Sequence, residues 1–215
     1  MLDEARYDIV RYCLKMLQTG LTSGTGGNIS VFDRRNGEIA LTPSGIEYDR
    51  MKEEDIVISD LDGNIVEGKL EPTSEKDLHF ALYRCRPDVN AVVHVHSEYA
   101  ATLASLGWEI PPFSYLVAVS GRKVPVVPYA PFGSVELAQT VSVAMSEYQA
   151  VLMGNHGLVS VGKTLRSAYS TAETVEYLAG VYWRAKCAGD PVLLDEDQIE
   201  DAIRRFKAYG QSSDM

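Results

Sequence analysis

The 215-residue sequence is short of cysteine, histidine, basic residues and long apolar runs, and each shortage narrows what the chain can be. Its three cysteines, Cys13, Cys85 and Cys187, stand far apart and odd in number within helix-like segments. That spacing excludes a disulfide framework and a zinc ribbon, leaving packing thiols as the expectation. No apolar stretch approaches the roughly 18 residues that span a bilayer, so no membrane partner is expected. The first residues, Met1-Leu-Asp-Glu-Ala-Arg-Tyr7, lack the basic and then apolar regions of a secretory leader, and the cytoplasm is the expected location. Twenty Lys and Arg against thirty Asp and Glu give a formal net charge of −10. Such a surface repels polyanions, so nucleic acid is not an expected partner. A small phosphorylated molecule stays compatible, because nests of backbone N–H groups bind anions whatever the net charge.

What is present fits one domain over residues 1–215, with no internal repeat, low-complexity tract or linker. Ile9, Val10, Cys13, Met16 and Leu17 form one helical stripe within 3–19, closed by Gly20. Alternating strands follow: 28–31, a partner after the Asn36-Gly37 turn, then 55–59 and 64–66 around Asp62-Gly63, an antiparallel pattern. Thr73 or Ser74 can cap a helix carrying Leu78, Ala81 and Leu82 up to Arg86-Pro87. A helix opens at Ser97 and ends near Gly107; Lys123–Val127 reads as an edge strand because of Pro125. Residues 133–147 look helical. The 3–4 spacing of Leu165, Ala168, Ala172, Val175, Ala179 and Tyr182 marks a long helix, and 195–208 a capped amphipathic one.

The four histidines are unevenly placed, and that is informative. Asn90-Ala-Val-Val-His-Val-His96 reads as a buried strand, in which residues two apart share a face, so His94 and His96 can converge on one ion. His156 lies at the turn of Val151-Leu-Met-Gly-Asn-His-Gly-Leu-Val-Ser160 between two apolar runs, and is the candidate third ligand. Three imidazoles with an open fourth position suit catalytic zinc, although spacing alone leaves each histidine open to a core reading. Glu75 can be a carboxylate at a positive helix end. His79, one turn on, is a fourth ligand or a partner for that carboxylate, and the second is preferred. The Gly-rich loop Leu21-Thr-Ser-Gly-Thr-Gly-Gly-Asn-Ile-Ser-Val31 is either a tight turn or, with Thr25 and Asn28 as donors, an anion site. It is neither a Walker loop nor a dinucleotide fingerprint. A second donor-rich turn is Thr42-Pro-Ser-Gly45.

Taken in order, Gly-Thr-Gly-Gly-Asn-Ile-Ser, Leu-Thr-Pro-Ser-Gly, Pro-Thr-Ser-Glu75, His94-Val-His96, Asn-His156-Gly and Lys-Ala-Tyr209-Gly resemble the class II aldolase/adducin family over nearly the whole chain. The resemblance implies an α/β fold, three-layer α/β/α around a central mainly antiparallel sheet, in a homotetramer with active sites between subunits. It implies Zn2+ on His94, His96 and His156, with Glu75 as an additional ligand in the empty site and as the acid/base. It implies phosphate binding among Thr25, Asn28, Ser44, Gly45, Thr73 and Ser74, and Tyr115 and Tyr209 supplied by a neighbouring subunit near the aldehyde end. Two positions depart from the pattern: Thr73 replaces a common serine and keeps the hydroxyl, and Asn155 replaces a second histidine beside the metal.

The implied reaction is reversible cleavage of a ketose 1-phosphate, such as L-fuculose 1-phosphate, into dihydroxyacetone phosphate and a small aldehyde such as L-lactaldehyde. Breaking C3–C4 leaves an enediolate whose charge a Lewis acid spreads, Glu75 protonates its carbon, and a tyrosine hydroxyl serves the aldehyde oxygen. The alternatives on this scaffold are a sugar-phosphate 4-epimerase, which carries Asp in place of Glu75, a methylthioribulose-1-phosphate dehydratase, and a non-enzymatic adducin-head-like binding module without the metal site.

Overall fold

The computed structural model describes residues 2–208. Its centre is a sheet of eight strands: β1 Asn28–Asp33, β2 Glu38–Leu41, β3 Val57–Asp60, β4 Ile65–Glu67, β5 Ala91–Val95, β6 Val126–Val127, β7 Ala150–Met153 and β8 Gly157–Gly162. They lie in the order β4-β3-β2-β1-β5-β8-β7-β6. Every pairing is antiparallel except that of β6 with β7. The helices are α1 Leu2–Gln18, α2 Lys76–Cys85, α3 Glu98–Leu106, α4 Val135–Ala144, α5 Leu165–Ala188 and α6 Glu196–Ala208. Residues Tyr115–Val119 form a 3-10 helix.

Period-two alternation splits the core in two and fixes the layers. Ile29, Ala40, Val93, Leu152 and Leu158 point to one cluster, shared with residues of α1, α3, α5 and α6. Phe32, Ile39, Leu41, Val92, Val151 and Val159 point to the other, shared with Leu78, Leu82, Leu137 and Val141 of α2 and α4. Burial of both faces explains why β5, β7 and β8 are buried at every position and apolar except for His94 and Ser160. The architecture is therefore helices on both sides of a mainly antiparallel sheet, α/β/α. No helix among the described residues is long and apolar enough to cross a membrane.

Three local readings need correction. Cys13 is buried as a packing residue, but Cys85 and Cys187 are exposed, because each lies on the solvent side of an otherwise packed helix. The cap of α2 is neither Thr73 nor Ser74: the cap residue is Glu75, without a side-chain bond to the helix. Thr73 Oγ1 instead accepts from the Glu75 N–H at 3.3 Å.

Candidate active site

Three pieces of backbone meet at one end of the sheet. The β1–β5 register sets Asn28 opposite His94, and the even-numbered residues of both strands face α2. His96 follows where β5 ends. The β7–β8 hairpin delivers His156 through a turn in which Asn155 takes φ +54°, a left-handed conformation that asparagine tolerates better than most residues. Close approach here depends on glycine: a Cβ on Gly157 would lie 2.5 Å from the Val95 carbonyl oxygen and 3.0 Å from His96 Cδ2.

The result is a cluster of Glu75, His94, His96 and His156 whose ligand atoms all lie within 4.8 Å of one another. His94 Nε2 is 2.9 Å from His96 Nε2 and 3.1 Å from Glu75 Oε2, while His156 Nε2 is 3.5 Å from Glu75 Oε1. A tetrahedral ion about 2.0–2.1 Å from each ligand sets ligand-to-ligand edges of about 3.3 Å, so the spacing suits a divalent cation. His94 Nδ1 donates to the Leu158 carbonyl at 2.9 Å, which turns the Nε2 lone pair of the neutral ring toward the cluster centre. Glu75 Oε1 is buried without a hydrogen-bond partner. An orphaned carboxylate oxygen and converging imidazole lone pairs are what a bound cation would satisfy.

The electrostatics agree. Burial, followed by His94, lowers the pKa of both His96 and His156 to about 4, so each imidazole stays neutral and able to ligate. Burial raises the Glu75 pKa, but the charge and hydrogen bond of His94 outweigh it and hold the carboxyl well below its usual range. The His94 pKa goes up, because Glu75 overcomes the opposing effect of burial. Without a metal, this pair therefore holds one proton between its two members, at the place where a bound ion would take the proton's role and leave the His94 ring neutral.

Behind Glu75 runs a buried chain of polar side chains. Asn28 Nδ2 donates to Glu75 Oε2 at 2.9 Å, and Asn28 Oδ1 meets His79 Nε2 at 2.5 Å. His79 Nδ1 meets Ser30 Oγ, and Ser30 Oγ meets the Tyr83 hydroxyl, each at 2.6 Å. His79 is therefore neither a fourth ligand nor a hydrogen-bond partner of Glu75. The i to i+4 helix spacing put it beside the carboxylate, but β1 passes close enough for Asn28 to come between them.

The cluster opens into a cavity of about 500 Å³ whose wall includes Thr25, Asn28, Ser44, Gly45, Thr73 and Ser74. All six anion-site candidates thus share one wall, although both ends of the Asn28 amide are already engaged by Glu75 and His79. Tyr115 lines a different groove with Leu194 and Phe206, is 62% exposed and stacks on Phe206 with centroids 6.1 Å apart. Tyr209 lies outside the described residues. Sequence reasoning missed Tyr129 and Phe132, exposed aromatics on the cavity wall; two aromatics within Pro128-Tyr-Ala-Pro-Phe-Gly133 were the available signal. It also missed Tyr48, whose hydroxyl donates to the Gly27 carbonyl at 2.5 Å and ties the second donor turn to the Gly-rich loop.

Residues 7–183 match the family described as Class II Aldolase and Adducin N-terminal domain. The chain is 47% identical over 211 residues to a 5-deoxy-D-ribulose 1-phosphate aldolase of Bacillus thuringiensis serovar kurstaki, covering 98% of this chain and 99% of the relative. It is 36% identical to a 5-methylthioribulose-1-phosphate/5-deoxyribulose-1-phosphate aldolase of Rhodospirillum rubrum, over 98% and 94% of the two chains. A solved L-fuculose 1-phosphate aldolase superposes with a TM-score of 0.93 at 42% identity, covering 95% of this chain and 96% of that one. A cation-ready cluster at the mouth of a donor-lined cavity, on a scaffold shared with these enzymes, has one coherent reading: the chain belongs to the class II aldolase and adducin family and is a metal-dependent aldehyde-lyase.

Proposed function

We propose that this protein, one domain over residues 1–215, cleaves a 5-deoxy-ketose 1-phosphate reversibly into dihydroxyacetone phosphate and a small aldehyde, using zinc. The observation that carries the reading is the Glu75–His94–His96–His156 cluster opening into the cavity that Ser44, Gly45, Thr73 and Ser74 line. His94, His96 and His156 would hold the zinc ion, with Glu75 beside it; when bound, the ion supplies Lewis acidity to the substrate oxygens. The phosphate would take donors from the Gly-rich loop, the 42–45 turn and the N-terminal end of α2, where the helix dipole favours an anion. Glu75 would carry the proton between solvent and the carbon of the three-carbon product, its Oε1 having no competing protein hydrogen bond.

The 47% identical relative is named for a 5-deoxy-pentulose phosphate and the superposed structure for a 6-deoxy-hexulose phosphate. Both support a substrate with an apolar terminal carbon, a fit to the exposed ring of Phe132 on the cavity wall. The Rhodospirillum relative keeps a methylthio-substituted ketose phosphate as the second reading. We further propose a cytoplasmic homotetramer with sites between subunits, supported by Tyr115 being exposed and lining a groove other than the metal-site cavity.

The test is to load the purified protein with zinc and offer 5-deoxyribulose, fuculose and methylthioribulose 1-phosphates, identifying products by mass. About one zinc per chain and release of dihydroxyacetone phosphate, abolished by a chelator, are expected. Turnover of all three that survives complete metal removal would sink the proposal.

A further inference from the structure

His79 is completely buried and makes no hydrogen bond to any member of the metal cluster, yet the direction of its own bonds is fixed from that cluster outward. A carboxylate only accepts, so Asn28 Nδ2 is the donor to Glu75 Oε2. The other end of the amide, Oδ1, then accepts, and His79 Nε2, 2.5 Å away, must carry a proton. A neutral imidazole protonated at Nε2 leaves Nδ1 as an acceptor, so the Ser30 hydroxyl donates to it. Having spent its single proton, Ser30 Oγ accepts from the Tyr83 hydroxyl. Each link dictates the next, and every proton points toward Glu75.

We propose that His79 is a positioning residue for Glu75: its Nε2–H locks the Asn28 amide with the NH2 group against Oε2, which leaves Oε1 as the oxygen that exchanges the proton with substrate. The inference rests on the functional reading above for the role of Glu75, but the orientation of the amide does not. Reversing Asn28 would press its carbonyl oxygen against the carboxylate, two acceptors facing each other at buried positions. Burial supports the neutral ring, holding the His79 pKa down to about 3. The elements involved are rigid: Asn28 and Ser30 are alternate residues of β1 on the face covered by α2, and His79 and Tyr83 are successive turns of α2. One strand and one helix thus hold the acid/base through a ladder of four buried side chains.

The tautomer is tested directly by nitrogen NMR of protein labelled with 15N-histidine and stripped of metal. One imidazole is expected in the Nε2–H form with shifts constant from pH 5 to 8, and its signals vanish in His79→Gln. A ring protonated at Nδ1 at this position overturns the proposal whether or not the protein turns over any sugar phosphate. Kinetics test the consequence. His79→Leu fills the space without a donor and is expected to lower kcat about 10- to 100-fold, with metal content kept and KM within about threefold. His79→Gln, which retains an N–H near the same point, is expected to recover most of kcat. If His79→Leu matches the parent while His79→Gln is impaired, the residue is packing and the proposal fails. A parent protein inactive on every ketose phosphate, with the Nε2–H form intact, removes the lyase reading and leaves the amide orientation standing.

Discussion

At the scale of single residues, Glu75 shows how far a side chain's surroundings decide its use. Its place in front of α2 suits a capping carboxylate, yet the side chain turns away from the helix and sits between His94 and His156. Glu75→Gln keeps the shape and removes the basic oxygen, so turnover is expected to fall by roughly two to four orders of magnitude, as for loss of a general acid/base. Metal content by atomic absorption should remain about one per chain, because three imidazoles persist. Unchanged turnover would return Glu75 to a structural part. His79 gives a pH prediction whose sign follows from its lowered pKa of about 3. The unfolded chain takes up a proton near pH 6.5, where the folded chain refuses it. The contribution of His79 to stability is therefore complete above pH 6.5 and is lost as pH falls toward 3. Urea midpoints measured across this range should decline less steeply for His79→Gln than for the parent. That His94 and His96 share a face was legible from a strand's period of two, whereas their meeting with His156 was not, because spacing cannot bring together residues about sixty apart; the family resemblance supplied that grouping, and the structure brings the three rings together. The partner of His79 was not legible either, because helix spacing says nothing of a strand 51 residues earlier that the same ring touches.

At the scale of elements, the site depends on two antiparallel joints, β1 with β5 and β7 with β8, and the second is held by glycine. Gly157→Ala would drive a methyl group into the Val95 carbonyl, so the hairpin must shift; a loss of about 1–3 kcal/mol is expected from overpacking of this kind. The check is a urea denaturation curve paired with a zinc competition titration. Zinc affinity should weaken with stability, whereas retention of both would show the turn to be tolerant. A neighbouring joint is made by Glu176 of α5, whose carboxylate accepts the N–H groups of Tyr99 at 2.9 Å and Ala100 at 2.8 Å. This takes over the capping of α3, and the buried Ser97 hydroxyl is left without a hydrogen-bond partner. Strands and long helices were legible from periodicity, including the Asn36-Gly37 and Asp62-Gly63 hairpins. Caps were less so: a serine or threonine near a helix start signals the right neighbourhood, but a distant carboxylate or a turn can take the helix N–H groups first.

At the scale of the whole molecule, Tyr115 carries the argument for assembly. If a neighbouring subunit supplies this hydroxyl, then Tyr115→Phe and Glu75→Gln damage different halves of a shared site. Refolding the two inactive variants together should restore activity at about a quarter of the sites, those that draw both intact residues from different chains. Light scattering should give about four times the chain mass of 23.7 kDa. No recovery on mixing would confine the site to one subunit. The six-motif order made the family legible from sequence, but the groove holding Tyr115 was not, since a surface is defined by what lies beside it.

The strand order also sets a timetable. β8 is last in sequence but lies between β5 and β7, so the loop that positions His156 closes only when the final strand threads beside one made some sixty residues before. A chain emerging from the ribosome therefore carries His94 and His96 for several seconds before their partner exists, at synthesis rates of about 5–20 residues per second. During that interval only Glu75, His94 and His96 of the four-residue cluster have been made, and the cluster is complete only once the β7–β8 turn has delivered His156.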